Sequence, residues 1–364
     1  MSARSPHRSV RIPSLLRLVE GVDAASDALD EITQDADGVL LAVHTGGRSG
    51  SGYAPRFIAA AAKRGHALDE CVVDAHRLTS VEEVKRRIAA VSPRFVIGIG
   101  GGRVVDIAKL AAAERGIDFL SVPTQASSDG LCSPIAVIIS DEGRPNSVGA
   151  RIPAGLIVDM EALRSAPLST WRSGLGDLVS NVSAVRDWRD AHVRRNESID
   201  DFACLTSEAA ALSVIADNAD LTEGGYQEKL VRGLILSGIA MEMAGSSRPA
   251  SGSEHLISHA LDSLVERPHL HGLQVALATI ATTILRGEDA GWLVHFYGRV
   301  GLPVTPADLG ISIPVFLKAI RVGPSTRLAR STLLDDISDR DISRLEASYR
   351  DGSLAHRTLE TAAP

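Results

Sequence analysis

GIGGGRVVDIAKL, Gly98 to Leu110, is the stretch whose reading decides the fold. Four of its first five residues are glycine, so the backbone there can approach a ligand closely and adopt turns closed to other residues. Arg94-Phe-Val-Ile before it reads as a strand. After it, Val104, Val105, Ile107, Ala108 and Ala111 fall on one helical face, and Ile117 to Val122 reads as a second strand. Strand, glycine turn, helix and strand make a βαβ unit whose helix N-terminus favours an anion. The spacing runs G-x-G-x-x and then places Arg103 where a third glycine would complete a dinucleotide fingerprint. Taken alone, these residues leave two readings open, a phosphate-binding turn and a tight turn with no ligand.

The rest of the chain extends that unit. Residues 38–45 form an apolar strand leading into a glycine-serine loop, followed by a helix from Pro55 to Arg64 and a strand from Glu70 to Val73. Ser80 and Glu83 have capping-box spacing at the start of another helix. Alternation of β and α over the first 125 residues predicts a Rossmann-like parallel sheet covered on both faces. Residues 131–160 read as a β-ribbon, with Pro134 to Ser140 as one arm, a turn at Asp141 to Pro145, and Gly155 to Asp159 as the other. Beyond that only helices are expected, at 174–196, 200–217, 225–244, 252–266, 272–286, 289–300, 314–322 and 337–350, with a frayed tail from Asp351. This divides the chain into an α/β unit over 1–160 and an all-α unit over 161–364.

Composition narrows the function. With 364 residues, 45% hydrophobic and 23% charged, the chain is long enough for two sizeable cores. A net charge of −7 argues against nucleic acid and anionic membranes as partners. No apolar run reaches membrane-spanning length, and the basic start lacks the apolar core of a secretory signal. Cys71, Cys132 and Cys204 are odd in number and far apart, which points to reduced thiols and a cytoplasmic location.

Three further segments carry possible chemistry. In Val122 to Gly130 (VPTQASSDG), Thr124 and Ser127 could donate hydrogen bonds to a cofactor and Asp129 could accept from a substrate hydroxyl, although the same residues suit a capped turn. Gly174 to Asp177 (GLGD) places a carboxylate in the first turn of the expected 174–196 helix, where it could equally serve as a cap. His255 and His259 stand at i and i+4 on one helix face and His271 follows at a helix start. That grouping suits a divalent metal or a solvated set of histidines. No HExxH, paired-cysteine zinc spacing or GxSxG elbow is present.

Taken together, GIGGGRVVDIAKLAA, FLSVPTQASSDGLCSP, GLGDLVSNVSAVRDW and SGSEHLISHALD with the later His-Gly resemble the sn-glycerol-1-phosphate dehydrogenases. These belong to the iron-containing alcohol dehydrogenase superfamily and share the dehydroquinate synthase-like fold. The resemblance runs from about residue 38 and accounts for Arg103, because that superfamily places a GGG turn ahead of the helix in place of the third glycine. It implies NAD(H) or NADP(H) on Gly102, Arg103, Val104, Val105 and Asp106, with Thr124, Gln125, Ala126, Ser127 and Ser133 across the cleft. It also implies a divalent metal, zinc before nickel or iron, on Asp177, His255 and His271. Asp129, Asp177 and His259 become substrate contacts, with Asp177 and His259 the catalytic residues. The implied reaction is reduction of the C2 ketone of dihydroxyacetone phosphate, or a related phosphorylated ketone, to sn-glycerol 1-phosphate by a homo-oligomer serving phospholipid synthesis.

Two positions depart from the family pattern: Leu273 replaces a polar residue after His-Gly, and Arg330-Ser331-Thr332 lacks the usual central aromatic. They keep open a dehydrogenase paralogue of secondary metabolism. A sugar-phosphate cyclase or lyase of the dehydroquinate synthase type would share fold and cofactors, but should show a glutamate ligand and several lysines around a phosphate. A noncatalytic binding module would not keep all three ligand positions filled. Gly46-Gly47-Arg48 lacks an acid after its strand and offers a cation to a 2′-phosphate, which predicts acceptance of NADPH. Arg330 and Arg248 are the candidate partners for a substrate anion.

Overall fold

The computed structural model describes residues 10–33, 38–46, 52–74, 79–139, 145–352 and 354. The expected turn at 141–144, Arg48 and the tail beyond 354 lie outside them. In chain order the strands are β1 (Leu15–Val19), β2 (Leu40–His44), β3 (Leu68–Val72), β4 (Phe95–Gly100), β5 (Asp118–Pro123), β6 (Ile135–Ile139), β7 (Pro145–Gly149) and β8 (Gly155–Asp159). Interleaved with the first five strands are α1 (Val22–Thr33), α2 (Tyr53–Lys63), α3 (Thr79–Val91) and α4 (Gly102–Arg115).

Six strands form one parallel sheet in the order β1-β8-β5-β4-β2-β3. The β4 side chains show why both faces are covered. Val96 packs with α3 and α4, while Phe95, Ile97 and Ile99 pack with α1 and α2. The chain runs outward from β2 to β3 and returns to β4 on the other side, so the strand order reverses between β2 and β4. Ligands of open α/β sheets bind outside the strand ends at such a point. The GGG turn closes β4 there. A Cβ on Gly98 would lie 3.1 Å from the Ala108 Cβ, so Gly98 and Ala108 supply the close helix–strand packing for which a third fingerprint glycine is otherwise needed.

Three local expectations are corrected. The partner of β6 is β7, with Ile135 opposite Gly149, while β8 is a sheet strand between β1 and β5. Every residue of β8 is buried, as a strand covered on both faces requires. Strand β1 and helix α1, both before residue 38, had no place in the sequence reading; β1 is short and largely exposed and gains its pairing only from β8. Ser80 lies inside α3 and its hydroxyl donates to the Asp74 carbonyl, so it does not cap the helix.

From Met160 onward every described element is helical: α5 (Met160–Arg164), α6 (Leu168–Val179), α7 (Asn181–Arg195), α8 (Asp201–Ile215), α9 (Gly224–Ala244), α10 (Ser253–Leu264), α11 (His271–Leu285), α12 (Gly291–Val300), α13 (Ile313–Val322) and α14 (Asp339–Arg350). One core joins α6, α9, α11 and α12 to Leu156 and Val158 of the sheet, and another joins α10, α11, α13 and α14. No helix among the described residues is long and apolar enough to cross a membrane.

Candidate active site

The 174–196 helix expected from sequence is two helices, broken at Ser180. Leu168, Trp171, Leu175 and Leu178 make an apolar stripe that starts α6 well before the glycines, so Asp177 sits in the last turn of α6 and not in a first turn. Those glycines set how closely the neighbours approach. A Cβ on Gly174 would lie 2.0 Å from the Ala126 carbonyl oxygen, one on Gly176 2.3 Å from the Gly272 carbonyl oxygen, and one on Gly272 1.8 Å from the Ser173 carbonyl oxygen. Backbone therefore meets backbone at two contacts, α6 against the 124–130 loop and α6 against α11. The first brings Asp129 to Asp177 and the second brings His271.

Asp177, His255 and His271 come together, with one ligand atom from each within 4.8 Å of the others. The Asp177 Oδ1 lies 3.6 Å from His255 Nε2 and 3.7 Å from His271 Nε2. Bond lengths near 2.1 Å around a tetrahedral ion separate ligand atoms by about 3.4 Å, so the three donors fit one divalent cation. Ring orientation agrees. His255 Nδ1 faces the Glu254 carboxylate at 3.0 Å and His271 Nδ1 faces the Ser258 hydroxyl at 3.1 Å, which turns both Nε2 atoms toward Asp177. The other Asp177 oxygen accepts from the Asp129 amide at 2.9 Å.

Electrostatics follow from this crowding. Burial disfavours the His255 cation, but Asp177 and Glu254 outweigh it and raise His255 to about 9. Desolvation together with the charge on His255 lowers His271 to about 4. Burial works against the Asp177 charge as well, yet the histidines win and its carboxyl is held below the ordinary range. Burial and the Asp177 charge push Asp129 up to about 7, opposed by a hydrogen bond at 2.8 Å from the Ser237 hydroxyl. His259 stands with its ring centre 6.1 Å from that of His271. Desolvation, His271, His255, Arg327 and Arg330 hold it well below its usual value, so it is a neutral imidazole.

The nucleotide candidates are partly gathered. Gly102 opens α4, and its added Cβ would lie 3.9 Å from the Ser127 hydroxyl; one on Gly101 would lie 3.0 Å from the Gln125 side-chain oxygen. The Thr124 amide donates to the Gly100 carbonyl. Gly102, Arg103, Thr124, Gln125 and Ser127 thus share one mouth, at a helix N-terminus. Val104, Val105 and Ala126 are buried, Ser133 is buried with its hydroxyl on the Ile135 carbonyl, and the Asp106 carboxylate is taken by Lys109 and the Val137 amide.

Around Ser247 the arginines cluster. Arg330 reaches the Ser247 hydroxyl at 2.8 Å and the Ser251 carbonyl, and Arg327 reaches Ser247 at 3.1 Å. Arg248 is clasped by both Glu197 oxygens along one guanidinium edge, Nε and Nη2, while its buried Nη1 meets no partner among the described residues. Burial, Arg327 and Arg248 lower Arg330 to about 9, against the opposing charges of Glu254 and Glu197. Leu273 packs against two apolar cores, so its departure from the family pattern belongs to packing. Sequence reasoning passed over Glu254, Ser258, Ser237 and Arg327. The Ser-Gly-Ser-Glu-His run was the only sequence signal for Glu254, as a carboxylate beside a ligand histidine.

A doubly covered parallel sheet with a glycine turn, joined to a helical unit bearing a two-histidine, one-carboxylate site, defines the class of metal-dependent nicotinamide dehydrogenases. Residues 26–167 match the iron-containing alcohol dehydrogenase family. The chain is 40% identical over 275 residues to the glycerol-1-phosphate dehydrogenase [NAD(P)+] of Methanothermobacter thermautotrophicus, covering 75% of this chain and 78% of that one. It is also 40% identical over 257 residues to the enzyme of that name from Pyrococcus abyssi, covering 70% and 74%. Among solved structures, a probable glycerol dehydrogenase from Sinorhizobium meliloti superposes with a TM-score of 0.75 at 21% identity, covering 95% of this chain and 99% of that one. The glycerol dehydrogenase of Schizosaccharomyces pombe gives 0.74 at 20%, covering 99% and 94%. The chain belongs to the glycerol-1-phosphate dehydrogenase family of the iron-containing alcohol dehydrogenases.

Proposed function

We propose that the protein reduces dihydroxyacetone phosphate to sn-glycerol 1-phosphate with NADH or NADPH, using one divalent metal on Asp177, His255 and His271. The observation that carries this is the donor triangle beside the α4 mouth, with two half-buried arginines, Arg327 and Arg330, beyond His259. A metal there supplies Lewis acidity to a ketone oxygen and the nicotinamide supplies hydride. The protein's own groups do the rest. The 124–130 loop bridges the two sites, since it lines the α4 mouth and its Asp129 amide holds Asp177. Asp129 and neutral His259 bind the ketone's single free hydroxyl, and His259 relays the proton that completes the alcohol. Arg330 and Arg327 bind the phosphate; Arg248, already paired with Glu197, positions the pocket instead of holding the anion. Zinc suits the oxygen and nitrogen donors, as nickel or iron would. Three buried unpaired cysteines fit a cytoplasmic setting.

The test is oxidation of NADH and NADPH by the metal-loaded protein with dihydroxyacetone phosphate, dihydroxyacetone and related phosphonates. Stoichiometric oxidation with the phosphorylated ketone, giving the sn-1 product, is expected. Equal efficiency with neutral dihydroxyacetone, or a need for only catalytic NAD as in a cyclase, would overturn the reading.

A further inference from the structure

Lys109 is fully buried, in the middle of α4. Its ammonium uses all three donors. They reach Asp106 at 3.0 Å, the Gly130 carbonyl at 2.7 Å and the Ile135 carbonyl at 2.7 Å. The second Asp106 oxygen accepts from the Val137 amide at 3.1 Å. Two charged side chains one helical turn apart are thus spent on the segment from Gly130 to Val137. That segment begins one residue after Asp129, whose amide holds the Asp177 carboxylate and whose carbonyl accepts from the Cys132 and Ser133 amides. A buried lysine is costly unless every donor is satisfied, and here Asp106 of the same helix satisfies one donor and the 130–135 segment satisfies the other two.

We propose that Lys109 and Asp106 form a positioning pair that fixes Asp129 against Asp177 in register with the nucleotide helix, and that the Asp106 carboxylate does this in place of contacting the nucleotide. The proposal rests on reading the start of α4 as the dinucleotide site. A continuous hydrogen-bonded path results, from the helix that receives the cofactor, through Lys109, Gly130 and Asp129, to the carboxylate of the metal triangle. Hydride transfer needs the nicotinamide and the ketone held to within a fraction of an ångström, and this path links the two supports.

Removing one member leaves a buried uncompensated charge, whereas the apolar double variant leaves no charge and unpairs only the Gly130 and Ile135 carbonyls and the Val137 amide. The informative protein is therefore the double variant Asp106→Leu/Lys109→Met, with Asp106→Asn as a milder second. NADH affinity is measured by quenching of protein fluorescence, bound metal by elemental analysis, and kcat and KM with dihydroxyacetone phosphate at saturating NADH. The expected result in both variants is an NADH Kd within about threefold of wild type, with kcat lowered about tenfold or more. A tenfold weaker NADH Kd with kcat unchanged would make Asp106 a nucleotide ligand and overturn the proposal. So would a folded double variant with wild-type kcat, which would leave the pair structural only. If the double variant does not fold, Asp106→Asn decides by the same two numbers. Wild-type protein that binds no NADH would instead overturn the underlying functional reading.

Discussion

Replacing Gly272 with alanine tests how the metal triangle is built. The new Cβ would sit 1.8 Å from the Ser173 carbonyl oxygen and 2.6 Å from its carbon, both backbone atoms that no rotamer can move. Bringing the first contact out to 3.0 Å requires α6 and α11 to separate by at least 1.2 Å, or the first turn of α11 to unwind. His271 is the residue immediately before, so its Nε2 moves with that turn, and its present 3.7 Å from Asp177 would grow toward about 5 Å, well beyond the spacing of about 3.4 Å that one ion tolerates. Overpacking of this kind costs about 1–3 kcal/mol in stability. Metal affinity should fall on the order of 100-fold, about 2.7 kcal/mol. The assay is competition for zinc between apo-protein and a chromophoric chelator, with circular dichroism to confirm folding. Gly225→Ala, a first-turn position with nothing within 4 Å, is the control and should leave affinity unchanged. A folded Gly272→Ala protein with wild-type zinc affinity would refute the claim that close backbone approach assembles the site.

Other expectations follow from individual groups. Glu254→Gln keeps the shape behind His255 but removes the charge, so metal affinity should drop about tenfold while the fold persists, read by the same chelator competition. Arg330→Ala should raise KM for the phosphorylated ketone more than tenfold and leave the NADH Kd alone, since Arg330 lies beyond His259 and away from α4. Asp262 is pushed up to about 6 by burial, against a hydrogen bond from Gln274 that lowers it. A raised carboxyl favours the neutral form in the folded state, so its contribution is fully present below about pH 4 and is lost as pH rises from 4 through 6. Asp262→Asn should therefore stabilise the protein by on the order of 2 kcal/mol at pH 8 and have little effect at pH 4, measured by urea unfolding. Equal effects at both pH values would contradict that account.

The strands around the glycine turn were legible because their signals are local. Phe95 to Gly100 is an unbroken apolar run ending in glycines, and α4 follows with its own periodicity. Helices α8 to α14 were legible within a few residues for the same reason. β1 was not, because five residues with one buried position carry no pattern until β8 is beside them. The GLGD segment misled because its glycines read as the start of a helix, whereas they lie within α6 as small residues that let a neighbour's backbone in.

Asp177, His255, His259 and His271 could be named from residue types, helical spacing and the order of four motifs, since ligand chemistry is a property of side chains themselves. Tertiary structure decided their environment. Only packing sets Asp177 between His255 and His271, gives Arg248 to Glu197 while Arg330 and Arg327 turn to Ser247, carries the Lys109 ammonium to the Gly130 and Ile135 carbonyls and seats half-buried Leu273 against two cores. Periodicity along a chain reports which face of an element is buried. It does not report which residue will stand opposite, as Gly155 stands opposite Leu15, because that is settled when helices and sheet close on one another.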